Sequence, residues 1–126
     1  MRMIDEYFER FTHYHNSYGK KTMLLFQVGS FFEVYGLEHE ESHEILKQFC
    51  DITGYTPAQK KINVGKKTAI MAGFRDYLLE KMIEKFHPYG YFSSSSQSQY
   101  YLGHSYKGIK DGFEKPLQRL CSQAFL

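Results

Sequence analysis

The stretch of this sequence that points most directly to chemistry is GSFFEVYG, residues 29–36, where two phenylalanines and a glutamate follow a glycine. The apolar run before it predicts a buried strand over residues 22–28, and the Gly29-Ser30 pair predicts a turn. Residues 31–35 then return as the second strand of a hairpin. Because alternate residues of a strand share a face, Phe31 and Glu33 are expected to point the same way.

The spacing alone leaves two interpretations of this pair open. If Phe32 and Val34 face the core, then Phe31 and Glu33 face outward together. An outward ring is suited to wedge between stacked bases from the minor groove, while the carboxylate hydrogen-bonds the displaced base. The alternative, which the spacing alone favours, is an ordinary half-buried strand in which Phe31 packs under a neighbouring element.

A second feature is a cluster of basic residues. Residues 60–67 read KKINVGKK, which contains four lysines and no acid. Lys60, Lys61, Lys66 and Lys67 would suit a loop that contacts phosphates. The alternative, favoured on the run alone, is a solvated loop that the lysines keep soluble.

Residues 39–43 read HEESH and match the H-E-x-x-H pattern, in which two histidines on one helix bind zinc and the glutamate is the general base. The pattern is short, and a solvated first helical turn produces it by chance. No G-x-x-x-x-G-K-S/T phosphate-binding motif occurs either. We therefore predict that the chain is not an enzyme and holds no metal or other cofactor, and a zinc hydrolase is kept only as a remote alternative.

The periodicity of the chain predicts an α/β fold with a small mixed sheet flanked by helices. The predicted order is helix, strand, strand, helix, strand, strand, helix. The helices are expected over residues 3–16, 38–50 and 75–86, and the strands over residues 22–28, 31–35, 51–56 and 68–73. A further strand is expected after Gly90, where the serine run at residues 93–96 stands instead.

Composition excludes some classes of protein. No stretch of about 18 apolar residues occurs, so no membrane span is predicted. Acids near the N-terminus argue against a signal peptide. Cys50 and Cys121 form no paired motif, which fits a reducing intracellular compartment. The composition does not distinguish between the possible compartments, which are the nucleus, the cytoplasm, the mitochondrion and a viral factory.

Four segments together resemble the N-terminal mismatch-recognition domain, domain I, of the MutS proteins of DNA mismatch repair. The family patterns are LLF-x-x-x-G-D-F-Y-E-L-F, L-D-I-(S/T)-L, M-A-G-(I/V)-P and Y-L-x-x-L. The corresponding segments here are Leu24–Tyr35, Cys50–Thr53, Met71–Phe74 and Tyr77–Met82. Their order and rough spacing agree with the family from about residue 3 to residue 92.

The resemblance implies a MutS domain I-like fold whose partner is double-stranded DNA with mismatches. It implies that Phe31 is the stacking wedge and that Glu33 is the hydrogen-bonding residue beside it. The lysine-rich run would then supply phosphate contacts that carry no sequence information. A MutS-like dimer partner is a further implication. The alternative within the same fold is a structural remnant that no longer binds DNA.

The sequence departs from the family pattern at several positions. Ser30 replaces the usual aspartate, and Arg75 follows Phe74 where a proline is usual. Four extra residues before Asp51 are close to one helical turn and keep the helix face in phase. The segment Met71–Phe74 and the lysine-rich loop before it resemble the branch found in giant viruses and coral mitochondria.

We therefore expect a mismatch-recognition domain over residues 1–92 and a divergent tail over residues 93–126, disordered or frameshifted. Valine codons GTA, read one base out of register, become the serine codon AGT, so a frameshift near residue 91 explains the serine run. A deliberately short protein with a disordered tail is the alternative.

The frameshift hypothesis predicts the nucleotide sequence downstream. Translation in another frame after residue 91 should yield an apolar strand followed by further MutS-like sequence. The check is translation of the downstream DNA in all three frames, and the hypothesis fails if none of them contains such sequence.

Overall fold

The chain is described by a computed structural model over residues 2–91 and 100–103. The model confirms an α/β fold. The helices and strands are α1 (Met3–Tyr18), β1 (Met23–Val28), β2 (Phe31–Leu37), α2 (Glu41–Thr53), β3 (Ile62–Val64), β4 (Lys67–Arg75), α3 (Leu79–Phe86) and β5 (Tyr100–Gly103). Short 3₁₀ turns, Asp76–Leu78 and His87–Tyr89, flank α3. Among the helices of these residues, none has the length and apolarity needed to cross a membrane.

The strands form one mixed sheet in the order β3-β4-β2-β1-β5. The neighbours from β3 to β1 are antiparallel, and β5 lies parallel to β1. The longest pairing joins β2 to β4 over seven residue pairs, from Phe31 opposite Arg75 to Leu37 opposite Ala69. The middle strand, β2, therefore has its backbone held on both sides.

Helix α1 covers one face of the sheet, which we call the α1 face. The Tyr7 ring is fully buried there, 5.6 Å from the Phe26 ring and 5.0 Å from the Tyr35 ring between centroids. Its hydroxyl donates a hydrogen bond to the Leu24 carbonyl oxygen over 3.0 Å. This bond satisfies a polar group that would otherwise be costly to bury.

Helices α2 and α3 cover the opposite face, which we call the α2–α3 face. Phe49 of α2 is fully buried, with its ring centroid 6.1 Å from that of Phe74 and 5.6 Å from that of Phe86. The Phe32 ring lies 5.7 Å from Phe74 in the same cluster. Aromatic packing of this kind supplies a large share of the buried apolar area.

The predicted order of elements up to α3 is confirmed, but the third strand is in the wrong place. Residues 51–53 are the last turn of α2, not the start of a strand over 51–56. The helix ends at Gly54, which takes a φ of 81° and donates its N–H to the Cys50 carbonyl oxygen over 2.8 Å. A glycine in this left-handed conformation is a common helix end, and the sequence interpretation overlooked it. The third strand is instead β3, inside the lysine-rich stretch.

A strand is present after Gly90, but it begins ten residues later, at Tyr100. It pairs with β1 from Met23 to Phe26 and so shields part of an edge that would otherwise be open. The serine run lies outside the described residues. The proposed character of the tail stays a prediction.

Gly36 shows how closely α2 packs on the sheet, and it gives a test of that packing. A Cβ atom at this position would lie 2.9 Å from His43 Cα and 2.9 Å from Leu46 Cβ. We predict that Gly36→Ala lowers the free energy of unfolding by about 1–3 kcal/mol, because α2 must move away from β2. Chemical denaturation measures this change. The exposed α3 substitution Lys81→Ala should stay within about 0.5 kcal/mol of the unaltered protein. Equal stability of the two variants would contradict the packing described here.

Candidate nucleic-acid interface

The β1–β2 turn fixes the position of Phe31 at the end of the sheet. Val28 and Phe31 are paired across a two-residue loop in which Gly29 has a φ of 62°. Glycine adopts this angle without the steric cost that a side chain brings, and it is the favoured residue at the first position of tight hairpin loops. The Ser30 carbonyl oxygen accepts a hydrogen bond from the Asp76 N–H over 2.8 Å. The tip of the hairpin is therefore anchored to the end of β4.

The alternation expected for β2 is present in the structure. Phe32 and Val34 are buried on the α2–α3 face, at 3% and 0% exposure. Phe31 is 39% exposed and Glu33 is half-buried, and both lie on the α1 face. Tyr35, two residues further along the same face, is buried under α1. The burial of side chains on this face therefore decreases from Tyr35 through Glu33 to Phe31, and the hairpin end of the face is exposed.

Arg75 lies over the Phe31 ring. The two residues are directly opposite in the β2–β4 register, and the guanidinium carbon lies 4.8 Å from the centre of the Phe31 ring. This is the geometry of a cation–π interaction. Sequence reasoning noted Arg75 only as a departure from the family pattern, because the pairing that brings it to Phe31 spans 44 positions of the chain.

Glu33 has a partner of its own. The Tyr35 hydroxyl donates a hydrogen bond to Glu33 Oε1. Partial burial raises the pKa of the Glu33 carboxyl, while the bond from Tyr35 opposes that rise. Within the described residues its second oxygen, Oε2, has no hydrogen bond. The carboxyl group is thus held in place at one oxygen, and the other has no hydrogen-bond partner among these residues.

Gly73 makes the close approach of β4 to β2 possible at Glu33. The two residues are opposite in the register. A Cβ atom on Gly73 would lie 2.6 Å from the Phe32 carbonyl oxygen and 3.4 Å from Glu33 Cγ. A glycine inside a strand often marks such a close approach, and this signal was present in the sequence. Sequence reasoning used Gly73 only as part of a family pattern.

Lys66 and Lys67 lie at the far end of the sheet from Phe31. Lys66 is exposed in the β3–β4 turn, and Lys67 begins β4 and forms an ion pair with Glu40. Eight residues separate Lys67 from Arg75 along β4, a distance of about 26 Å in an extended strand. These two lysines and Phe31 therefore cannot contact the same base-pair step.

Lys60 and Lys61 are closer and lie on the α1 face. Both are exposed, and with Arg2 and Tyr35 they line an open groove beside the start of α1. Sequence reasoning missed Arg2, whose guanidinium donates a hydrogen bond to the Asn63 carbonyl oxygen over 3.1 Å and is paired with the Asp5 carboxylate over 3.0 Å.

Two backbone pairings locate this groove along β4. The Ala58 N–H donates to the Met71 carbonyl oxygen over 2.7 Å, and Ile62 is paired with Ala69. Lys60 and Lys61 thus lie beside positions four to six residues from Arg75, or about 13–20 Å along the strand. The structure brings Phe31, Glu33 and Arg75 together and divides the lysines into two groups.

The H-E-x-x-H pattern does not form the geometry of a zinc site. Helix α2 begins at Glu41, and His39 precedes it with a φ of 65°, so His39 and His43 do not lie one turn apart on a helix. Glu40 is paired with Lys67, and Glu41 contacts His15. Within residues 2–91 and 100–103, no group of three His, Cys, Asp or Glu side chains is placed to hold a metal ion.

Comparison with known proteins gives no family for this chain: no protein-family model and no curated protein matches it.

The raised pKa of Glu33 predicts how its replacement changes stability with pH. A carboxyl whose pKa is higher in the folded than in the unfolded state stabilises the fold below its ordinary value of 4.5, and that stabilisation is lost as the pH rises through the raised pKa. Glu33→Gln should therefore gain in free energy of unfolding relative to the unaltered protein as the pH rises from 4.5 towards neutrality. Denaturant titrations across this range measure the difference.

The control for this comparison is Glu84→Gln, which removes one exposed carboxylate from α3. It corrects for the general effect of changing the net charge by one. If Glu33→Gln and Glu84→Gln follow the same course with pH, the environment of Glu33 is not the cause.

Proposed function

We propose that this chain binds double-stranded DNA that contains mismatches, in the manner of the MutS mismatch-recognition domain that it resembles. Phe31 is the wedge and Glu33 is the base contact. The observation that carries the proposal is that both side chains lie next to each other at the uncovered hairpin end of the α1 face. The proposal covers recognition alone, because the sequence contains no P-loop motif for ATP hydrolysis.

The energetics of a wedge suit the position of Phe31. Unstacking a base step costs a few kcal/mol, and the cost is lower at a mismatch than at a matched pair. Stacking of a base on an aromatic ring returns about 1–3 kcal/mol. The hairpin that carries the ring is anchored to the end of β4, so the backbone at Phe31 is held in place before the ring inserts. The free energy returned by stacking then favours the mismatched step.

The surroundings of Glu33 support a role at a base edge. A carboxylate beside DNA is repelled by the phosphates, and a high negative potential raises its pKa further. Partial burial raises the pKa of Glu33 already in the free protein. A carboxyl group that takes up a proton in the complex can donate a hydrogen bond to a base acceptor, and Tyr35 keeps it oriented.

The basic groups supply contacts that carry no sequence information. Lys60 and Lys61 are exposed and line the groove further along the same face. A few phosphate contacts give weak binding that falls steeply with salt.

One observation favours the alternative, a remnant of the same fold that does not bind DNA. The Phe31 ring already has a partner in Arg75, so packing on the protein surface accounts for part of its environment. The zinc hydrolase gains no support from the geometry of residues 39–43. Replacement of Phe31 separates mismatch binding from the remnant.

We predict that Phe31→Ala abolishes the preference for mismatched DNA. The measurement is a paired titration, at low salt, of duplexes that differ only in one G·T or G·C pair. The unaltered protein should bind the G·T duplex more tightly, and Phe31→Ala should bind both duplexes equally, because only the wedge responds to the cost of unstacking. Lys60→Gln and Lys61→Gln should weaken binding to both duplexes by the same factor.

The matched control is Tyr77→Ala, which removes a 77% exposed ring after the end of β4. It should keep the ratio of the two affinities. A ratio above one that Phe31→Ala leaves unchanged would mean that Phe31 is a packing residue. A ratio of one in the unaltered protein would mean that it binds DNA without recognising the mismatch, and absence of binding to either duplex would support the non-binding remnant.

A further inference from the structure

Arg75 combines an exposed position with the absence of an acidic partner. Its guanidinium lies over the Phe31 ring, and no carboxylate of the described residues is within ion-pair distance of it. This includes Glu33, which lies on the same face of β2, and Asp76, the next residue in the chain. The positive charge at the candidate wedge is thus held by a ring and is not neutralised by an acid.

A ring that enters a base stack cannot keep a cation on the face that a base must cover. The guanidinium lies 4.8 Å from the ring centre in the free protein, so insertion of Phe31 would displace it. The displaced guanidinium stays close to the opened base step, because Arg75 is directly opposite Phe31 in the sheet. The acceptors next to an opened base step are the phosphates that flank it, and the planar guanidinium binds phosphate through two parallel hydrogen bonds.

We propose that Arg75 transfers from the Phe31 ring to a phosphate beside the opened step, and that this contact forms only when the wedge is inserted. This inference rests on the proposed function and deepens it. Arg75 is then a residue that determines specificity, because its phosphate contact is made in the mismatched complex and not in a complex with an unopened duplex. The cations in the groove, Lys60 and Lys61, contact phosphates in both complexes.

Salt dependence distinguishes a contact made in one complex from a contact made in both. Each phosphate neutralised on B-form DNA adds about 0.9 to the slope of log affinity against log salt concentration. When salt rises from about 50 to 200 mM, a complex with one such contact loses about 3.5-fold more affinity than a complex without it. Arg75→Gln should reduce the slope by this amount for the G·T duplex and leave the slope for the G·C duplex unchanged.

The experiment measures both slopes for the full chain and for three variants. Arg75→Lys keeps the charge and should keep the slope for the G·T duplex, which separates the loss of a charge from a change in the shape of the hairpin. Lys61→Gln should reduce both slopes equally. Circular dichroism and thermal melting of each variant verify that it is folded before the titrations are compared.

The outcomes separate this inference from the proposed function. A G·T preference that depends on Phe31, together with a G·T-specific decrease in slope for Arg75→Gln, supports both. The same preference with slopes that Arg75→Gln reduces equally, or not at all, overturns only the role of Arg75. If the unaltered protein has no G·T preference, the proposed function fails, and the role of Arg75 fails with it.

Discussion

The antiparallel pairing of β2 with β4 is the interaction on which the candidate site depends. It holds the middle strand of the sheet along its whole length and sets Phe31 opposite Arg75 and Glu33 opposite Gly73. At Gly73 the two backbones lie so close that a Cβ atom would collide with the Phe32 carbonyl oxygen. A shift of this register by one residue would separate the ring from the guanidinium and send β4 side chains to the opposite face.

The position of α1 on the sheet decides which part of the α1 face remains uncovered. The helix buries Tyr35 beneath Tyr7, and the cover decreases towards the hairpin end. Three residues of one strand, each two positions apart, consequently have three different environments. Tyr35 is buried, Glu33 is half-buried and hydrogen-bonded to Tyr35, and Phe31 is exposed beside a cation. Partial burial raises the pKa of the Glu33 carboxyl, and perturbed pKa values of this kind are common at functional sites.

Much of the fold was predictable because its signals are local. Apolar residues at helical spacing predicted α1, and the alternation after Gly29 predicted that Phe31 and Glu33 share one face of β2 and that Phe32 and Val34 share the other. The prediction of a strand over residues 51–56 was wrong, because these residues fit a strand as well as a helix end. In the structure α2 ends at Gly54, which takes the left-handed conformation. The lysine run looked like one loop, whereas β3 folds it into a hairpin that carries Lys66 and Lys67 away from Lys60 and Lys61.

By itself the sequence determined the turn at Gly29-Ser30, the shared face of Phe31 and Glu33 on β2, and the order of elements up to α3. Each of these follows from chain neighbours and from the period of a strand or helix. Only the tertiary structure decided that Arg75 lies on the Phe31 ring and that His39 stays outside α2. Cross-strand register and the exact start of a helix depend on contacts between residues far apart in the chain, and no local pattern encodes those contacts.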